Sequence, residues 1–221
     1  MFAVIFVVQP RKERWDDYLT LAKELKPKLE AIDGYIANER FKGLSDDGKL
    51  LSLSVWRDEK AVIRWRTHGG HHAVQQKGRG EVFEDYHLRV GEMVADSDQP
   101  AGIGDQKRFD ETEVGAGKAV TITEFAPADG KAMTTEALAA EFGLEHDTKG
   151  LVARDAFASI YTPGKLALLA SWRDAEAASR WRPKASHAIR AFRHRQVRVI
   201  RDYGMFERRE APQFHAQVAR P

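Results

Sequence analysis

Two histidines in this chain stand at one distance from a tryptophan. His71 follows Trp65 by six residues, and His187 follows Trp181 by six. An imidazole accepts a proton near neutral pH, and a large aromatic beside it can wall a dry pocket. Arg66 and Arg182 come directly after the tryptophans, where a guanidinium suits an anionic substrate or a developing phenolate or enolate. Trp56 and Trp172 lie nine residues upstream of Trp65 and Trp181. The expected catalytic pair is His71 as base and Arg66 as anion partner. Trp65, Trp56, His72, Trp181 and His187 are the candidate substrate-binding residues. Core packing competes for the tryptophans, most strongly for Trp56 and Trp172 at apolar strand ends. Surface pairing with Asp58 and Asp174 competes for the neighbouring Arg57 and Arg173. The cluster "HGGHH" (His68–His72) suggests a metal at first sight. Its glycine pair reads as a flexible loop, no carboxylate has ligand spacing, and the second copy keeps one histidine, so no metal site is expected.

These residues recur because the chain is written twice. "VWRDEKAVIRWR" (Val55–Arg66) and "SWRDAEAASRWR" (Ser171–Arg182) share seven of twelve positions at an offset of 116. The offset also aligns "GKLLSLSVWRD" with "GKLALLASWRD", "GYIANERF" with "GLVARDAF", and "AVIF" (Ala3–Phe6) with "AVTI" (Ala119–Ile122). A period this long means two domains rather than a solenoid.

The first copy predicts a strand at Phe2–Val8 and a helix over Arg14–Ile32 with Pro27 as a kink. Strands over Tyr35–Phe41 and Leu50–Trp56 follow, then a helix capped by Asp58, then a strand at Tyr86–Val94. That order, β-α-β-β-α-β, is the split βαβ of ferredoxin-like folds. The second copy has a shorter first helix near Thr135–Phe142. It loses about ten residues after His187 if "GEMVAD" pairs with "VRVIRD", and an offset of 117 is the alternative pairing there. The expected organisation is domain one at 1–96, a linker at 97–117, domain two at 118–207 and an extended tail at 208–221.

Composition sets the outer limits. The 221 residues carry 35 basic and 33 acidic side chains, a net charge of +2 that gives no reason to expect nucleic acid or membrane as a partner. With no cysteine, disulfides, thiolate metal sites and thiol nucleophiles are excluded. The apolar start lacks a basic leader and a cleavage site, and no run reaches the length of a membrane span. A cytoplasmic, bacterial protein is the expectation. Neither a Gly-rich dinucleotide loop nor a P-loop is present.

The passage "GKLLSLSVWRDEKAVIRWR", the histidine after it and the strand "DYHLRV" resemble the antibiotic biosynthesis monooxygenase domain, and both halves carry the resemblance. The ending "IRDYGMFERREAP" is similar to the C-terminus of single-domain members. The resemblance implies a dimeric α+β barrel. Since a ferredoxin-like sheet has one face bare of helices, a chain with two such units implies an intramolecular pseudo-dimer of the two sheets, with further homo-oligomerisation left open.

It also implies oxygenation without flavin: a phenol, anthrone or quinol loses a proton, and its anion reduces dioxygen. Two departures are visible. The Asn and Tyr typical of anthrone-oxidising members are replaced by Ser52 and Val62, and by Leu168 and Ala178 in copy two. Haem-degrading relatives share the tryptophan pair, but their iron-ligating histidine corresponds to Gln75 and Ala191 here, and their first-strand Asn is absent. The expected function is therefore a cofactor-independent monooxygenase acting with dioxygen on a small aromatic, phenolic or quinol compound. Haem binding or degradation is the second reading, and a non-catalytic binding or scaffold barrel is the third.

Overall fold

The computed structural model describes residues 1–101, 108–130, 133–184, 186–215 and 218. Parts of the expected linker and tail, residues 102–107, 216–217 and 219–221, lie outside the described residues. The first half runs β1 (Phe2–Pro10), α1 (Trp15–Glu30), β2 (Tyr35–Gly43), β3 (Leu50–Trp56), α2 (Glu59–Thr67), α3 (Gly69–Lys77) and β4 (Phe83–Asp96). The second runs β5 (Ala119–Pro127), α4 (Thr135–Glu141), β6 (Leu151–Ser159), β7 (Leu166–Trp172), α5 (Ala175–Arg180) and β8 (Ile189–Gly204). Pro27 sits inside α1, which continues to Glu30. No helix is long and apolar enough to cross a membrane among the described residues.

The eight strands close into one antiparallel barrel in the order β1-β3-β2-β6-β7-β5-β8-β4. Its two seams between the halves are β2 with β6 and β4 with β8. The interior is a shared apolar core in which Ala3, Ile5, Leu51, Leu53 and Val55 meet Val120, Ile122, Ala167, Leu169, Val197 and Val199. Along β5 the inward row Val120 and Ile122 ends in Glu124, which is 3% exposed and therefore needs a partner. Arg195 supplies it at 2.9 Å, and Lys165 adds a second contact at 3.3 Å.

The register defines a pseudo-twofold axis. Trp56 pairs with Phe2 and Trp172 with Ala119, so Phe2 and Ala119 are equivalent. The matching of Ala3 with Ala119 by sequence is thus one residue out, and Val120 takes the inward place of Ala3. A one-residue slip would turn every side chain of that strand to the wrong face. Phe2 pairs with Glu92 and Ala119 with Arg198, which supports the offset of 106 at the last strand. Two equivalent pairs face each other across the seams: Lys42 opposite Ala158, and Glu92 opposite Arg198.

The duplicated phrase forms the same joint in each half. Asp58 caps α2 through the Ala61 amide at 2.8 Å, and Asp174 caps α5 through Ala177 at 2.7 Å. The amides of Arg57 and Arg173 donate to the carbonyls of Gly34 and Gly150, each at 2.8 Å. Trp56 and Trp172 are fully buried beneath these joints. Their indole N–H groups donate to Ser54 at 2.9 Å and Thr121 at 2.8 Å.

One element departs from the sequence expectation. The "GGHH" stretch is not a loop but the first turn of α3. Two glycines weaken a helix by about 1 kcal/mol each, and the contacts that tie this turn to α2 are the stacking of His71 on Trp65 and its hydrogen bond to the Trp65 carbonyl. Among the described residues, the second half has no counterpart of α3. The ten residues it lacks are about the length of this helix.

Candidate active site

Between the outer face of the first half's sheet and its helices lies a cavity of about 190 Å³. The floor is strand: Val4 and Phe6 from β1, Asn38 and Arg40 from β2, Ser52 and Ser54 from β3, and Leu88 and Val90 from β4. The helical walls are Tyr18, Leu21, Ala22, Leu25 and Leu29 of α1, Val62, Trp65 and Arg66 of α2, and His71, Val74 and Gln75 of α3. Alternation in the strands and helical spacing in α1 put these residues on one side. The enclosure is mainly apolar with a few polar groups, the usual composition of a small-molecule site.

His71 lies flat on Trp65, with ring centroids 4.2 Å apart and planes 13° from parallel. Its Nδ1 is 3.0 Å from the Trp65 carbonyl. A carbonyl only accepts, so Nδ1 carries the hydrogen and Nε2 keeps its lone pair. Burial pushes the imidazole down to about 4, helped by neighbouring His68 and His72 and opposed by the Trp65 carbonyl. The ring is therefore neutral at physiological pH. Arg66 stands on the same wall, with its Nε buried and without a hydrogen-bond partner.

The other candidates fall elsewhere. Trp56 is buried under the sheet joint and does not line the cavity. His72 stacks on His215 of the C-terminal arm at 5.4 Å. Trp181 is core: its indole lies 5.6 Å from that of Trp172 and donates to the Phe142 carbonyl at 3.0 Å. Phe125, Phe142 and Leu138 complete the filling of the space that corresponds to the cavity. His187 is exposed in the segment between α5 and β8, where the described residues form no helix like the one that carries His71.

Sequence reasoning missed the second half's share of this site. Arg201 and Tyr203 reach it from β8, and Arg208, Pro212, Gln213 and His215 reach it from the arm beyond. Burial pushes the Tyr203 phenol up to about 12, so it is a neutral hydroxyl. Tyr86 receives two guanidinium hydrogen bonds, from Arg79 at 2.6 Å and Arg208 at 2.7 Å. The available signal was the basic run from Arg180 to Arg209, with ten Lys and Arg against two acids. Nothing in its composition says that the run crosses back over the first half.

The chain is 42% identical to the jasmonate monooxygenase ABM of Pyricularia oryzae (strain 70-15), over 97% of this chain and 98% of that protein. The chain belongs to the antibiotic biosynthesis monooxygenase family. The family profile, antibiotic biosynthesis monooxygenase, matches residues 1–77, which end at the last residue of α3. That span holds Trp65, Arg66 and His71. The uncharacterized protein YqjZ of Bacillus subtilis (strain 168) is 36% identical over 47 residues, 21% of this chain and 41% of that protein. The crystal structure of an aldoxime dehydratase superposes with a TM-score of 0.55 at 12% identity, covering 90% of this chain and 80% of that one. That likeness shows the fold alone. No group of three or more potential metal-ligating His, Cys, Asp or Glu side chains occurs among the described residues.

Proposed function

We propose that this antibiotic biosynthesis monooxygenase oxygenates a small, mostly apolar substrate in the first-half cavity, by way of a substrate anion. The observation that carries the reading is the neutral His71, with Nδ1 committed to the Trp65 carbonyl and its ring on the cavity wall. Nε2 is the proton acceptor. A value near 4 is low for a base, so the proton moves only as negative charge develops beside the new imidazolium and the Arg66 guanidinium. Trp65 holds the imidazole plane and excludes water.

The balance closes without a second reductant when the substrate supplies all four electrons. An activated methylene gives up both of its hydrogens, whereas a phenol or hydroquinone gives up one from the ring carbon and one from the hydroxyl. One atom of dioxygen stays as a carbonyl and the other leaves as water. Neither flavin nor haem is part of this proposal. Gln75, which is not an iron ligand, stands on the wall at the place of the haem relatives' histidine, and the cavity of about 190 Å³ is small for a tetrapyrrole.

The relative's name makes jasmonate, a small carboxylate with an apolar body, the first compound to assay beside anthrone and hydroquinone. Oxygen uptake by the wild type and by His71→Ala tests the reading. Turnover on at least one compound that collapses in the variant is expected. Equal background rates on every compound would overturn it. Titration with haemin should leave the Soret band unshifted.

A further inference from the structure

We infer that Arg40 is the counter-ion for a carboxylate on the substrate; this rests on the monooxygenase reading above. Arg40 belongs to β2, lines the cavity and is 7% exposed. A buried guanidinium normally has an acid beside it, because an uncompensated charge is expensive to remove from water. Among the described residues, Arg40 has neutral partners instead. Its Nη1 donates to Asn38 Oδ1 at 3.1 Å and to the Tyr161 hydroxyl at 2.6 Å. Its Nε is buried with no hydrogen-bond partner. The buried phenol of Tyr18 is the other polar group beside it.

The surroundings are built to hold this cation in place. The Asn38 amide donates to Ser52 Oγ and the Leu53 carbonyl, both at 3.1 Å, which fixes its oxygen toward Arg40. Tyr161 reaches over from the loop between β6 and β7, so the second half supports a charge in the first half's site. The fold itself does not require the charge. The equivalent of Arg40, by the shared register of β2 and β6, is Ala156, which is fully buried in the apolar filling of the second half. A guanidinium present only where there is a cavity, and lacking an acid, matches a ligand that brings its own. Its planar donor fork suits a carboxylate.

The test is calorimetric binding to the full chain of three acids, jasmonate, octanoate and 4-phenylbutyrate, each against its methyl ester. At least one acid should bind the wild type tenfold or more tightly than its ester. Arg40→Gln should abolish that preference while ester affinity stays within about threefold. Its melting temperature should equal or exceed the wild type's, since an unpaired buried charge has gone. A preference that survives in Arg40→Gln overturns the inference. So does one that is lost only in Arg66→Gln, or the absence of any preference across the three pairs. The two proposals fail separately. Oxygen uptake with anthrone or a neutral ester but no acid preference removes the anchor and leaves the oxygenase. Acid preference without oxygen uptake on any compound removes the oxygenase and leaves the anchor.

Discussion

Gln213 donates its side-chain amide to the backbone carbonyl of Arg66 at 3.1 Å, across 147 residues of chain. The arm is therefore pinned to the end of α2, beside the proposed anion partner, and closes one side of the cavity. Gln213→Ala should free it at a cost of about 1 kcal/mol, the usual net worth of one such bond. Deleting residues 208–221 should raise KM more than it lowers kcat, because a wall is lost and the imidazole remains. Steady-state kinetics of both variants check this, and an unchanged KM in the deletion would remove the arm from the site.

His71→Gln should lower kcat by about 10²–10⁴-fold, the range for removing a positioned general base. KM should change little, since the amide preserves polarity and approximate size. Trp65→Ala should lower kcat less and raise KM more, because it takes away the surface on which the imidazole lies.

Acid should unfold the protein through its buried histidines. Burial lowers both His71 and His194 to about 4 from an ordinary 6.5. Between those values the unfolded chain binds protons that the folded chain refuses, so stability is complete above about pH 6.5 and falls as pH drops toward about 4. Urea midpoints at pH 7.5 and pH 5.0 should differ clearly in the wild type. The gap should narrow in His71→Gln and narrow further in the double variant with His194→Gln.

The glycines of the duplicated joint should be equally intolerant of substitution. Gly34 and Gly150 have φ of +90° and +84°, and an added Cβ would stand 2.6 Å and 2.4 Å from the Cβ atoms of Ala61 and Ala177. Each change to alanine should cost about 1–3 kcal/mol from backbone conformation, with the clash in addition. Gly164→Ala isolates the conformational part, since its φ is +80° and nothing lies within 4 Å. Denaturant unfolding should rank Gly164→Ala as the mildest of the three.

The two second tryptophans should separate stability from activity. Trp181→Ala should destabilise by about 3–5 kcal/mol, as for a large buried aromatic. Trp65→Ala, on the wall of an existing cavity, should cost less stability and more activity. Paired measurements of melting and oxygen uptake decide it.

The architecture was legible because its signals are local. Asp58 and Asp174 cap helices at the same place in each half, and the strands alternate around them. The site was legible only along the segment from Trp65 to His71. Arg40 has no unusual sequence context, and its meaning lies in an acid that is absent in space. Tyr161 and Gln213 join the site through contacts 121 and 147 residues apart, which no spacing rule anticipates. The slip between Ala3 and Val120 escaped because short apolar strands align nearly as well one residue out. His187 carried the same spacing without the helix that brings His71 to the cavity wall.

The pairing of Glu92 with Arg198 on the pseudo-twofold axis makes the union of the halves irreversible in one respect. Their side chains approach to 3.9 Å, with opposite charge and Glu92 only 3% exposed. Two identical subunits related by a true twofold place each axial residue opposite its own copy. Two first halves would press Glu92 against Glu92, and two second halves Arg198 against Arg198. Within one chain the axial residues need not be copies, and the opposite charges favour the union of each half with the other over a duplicate of itself.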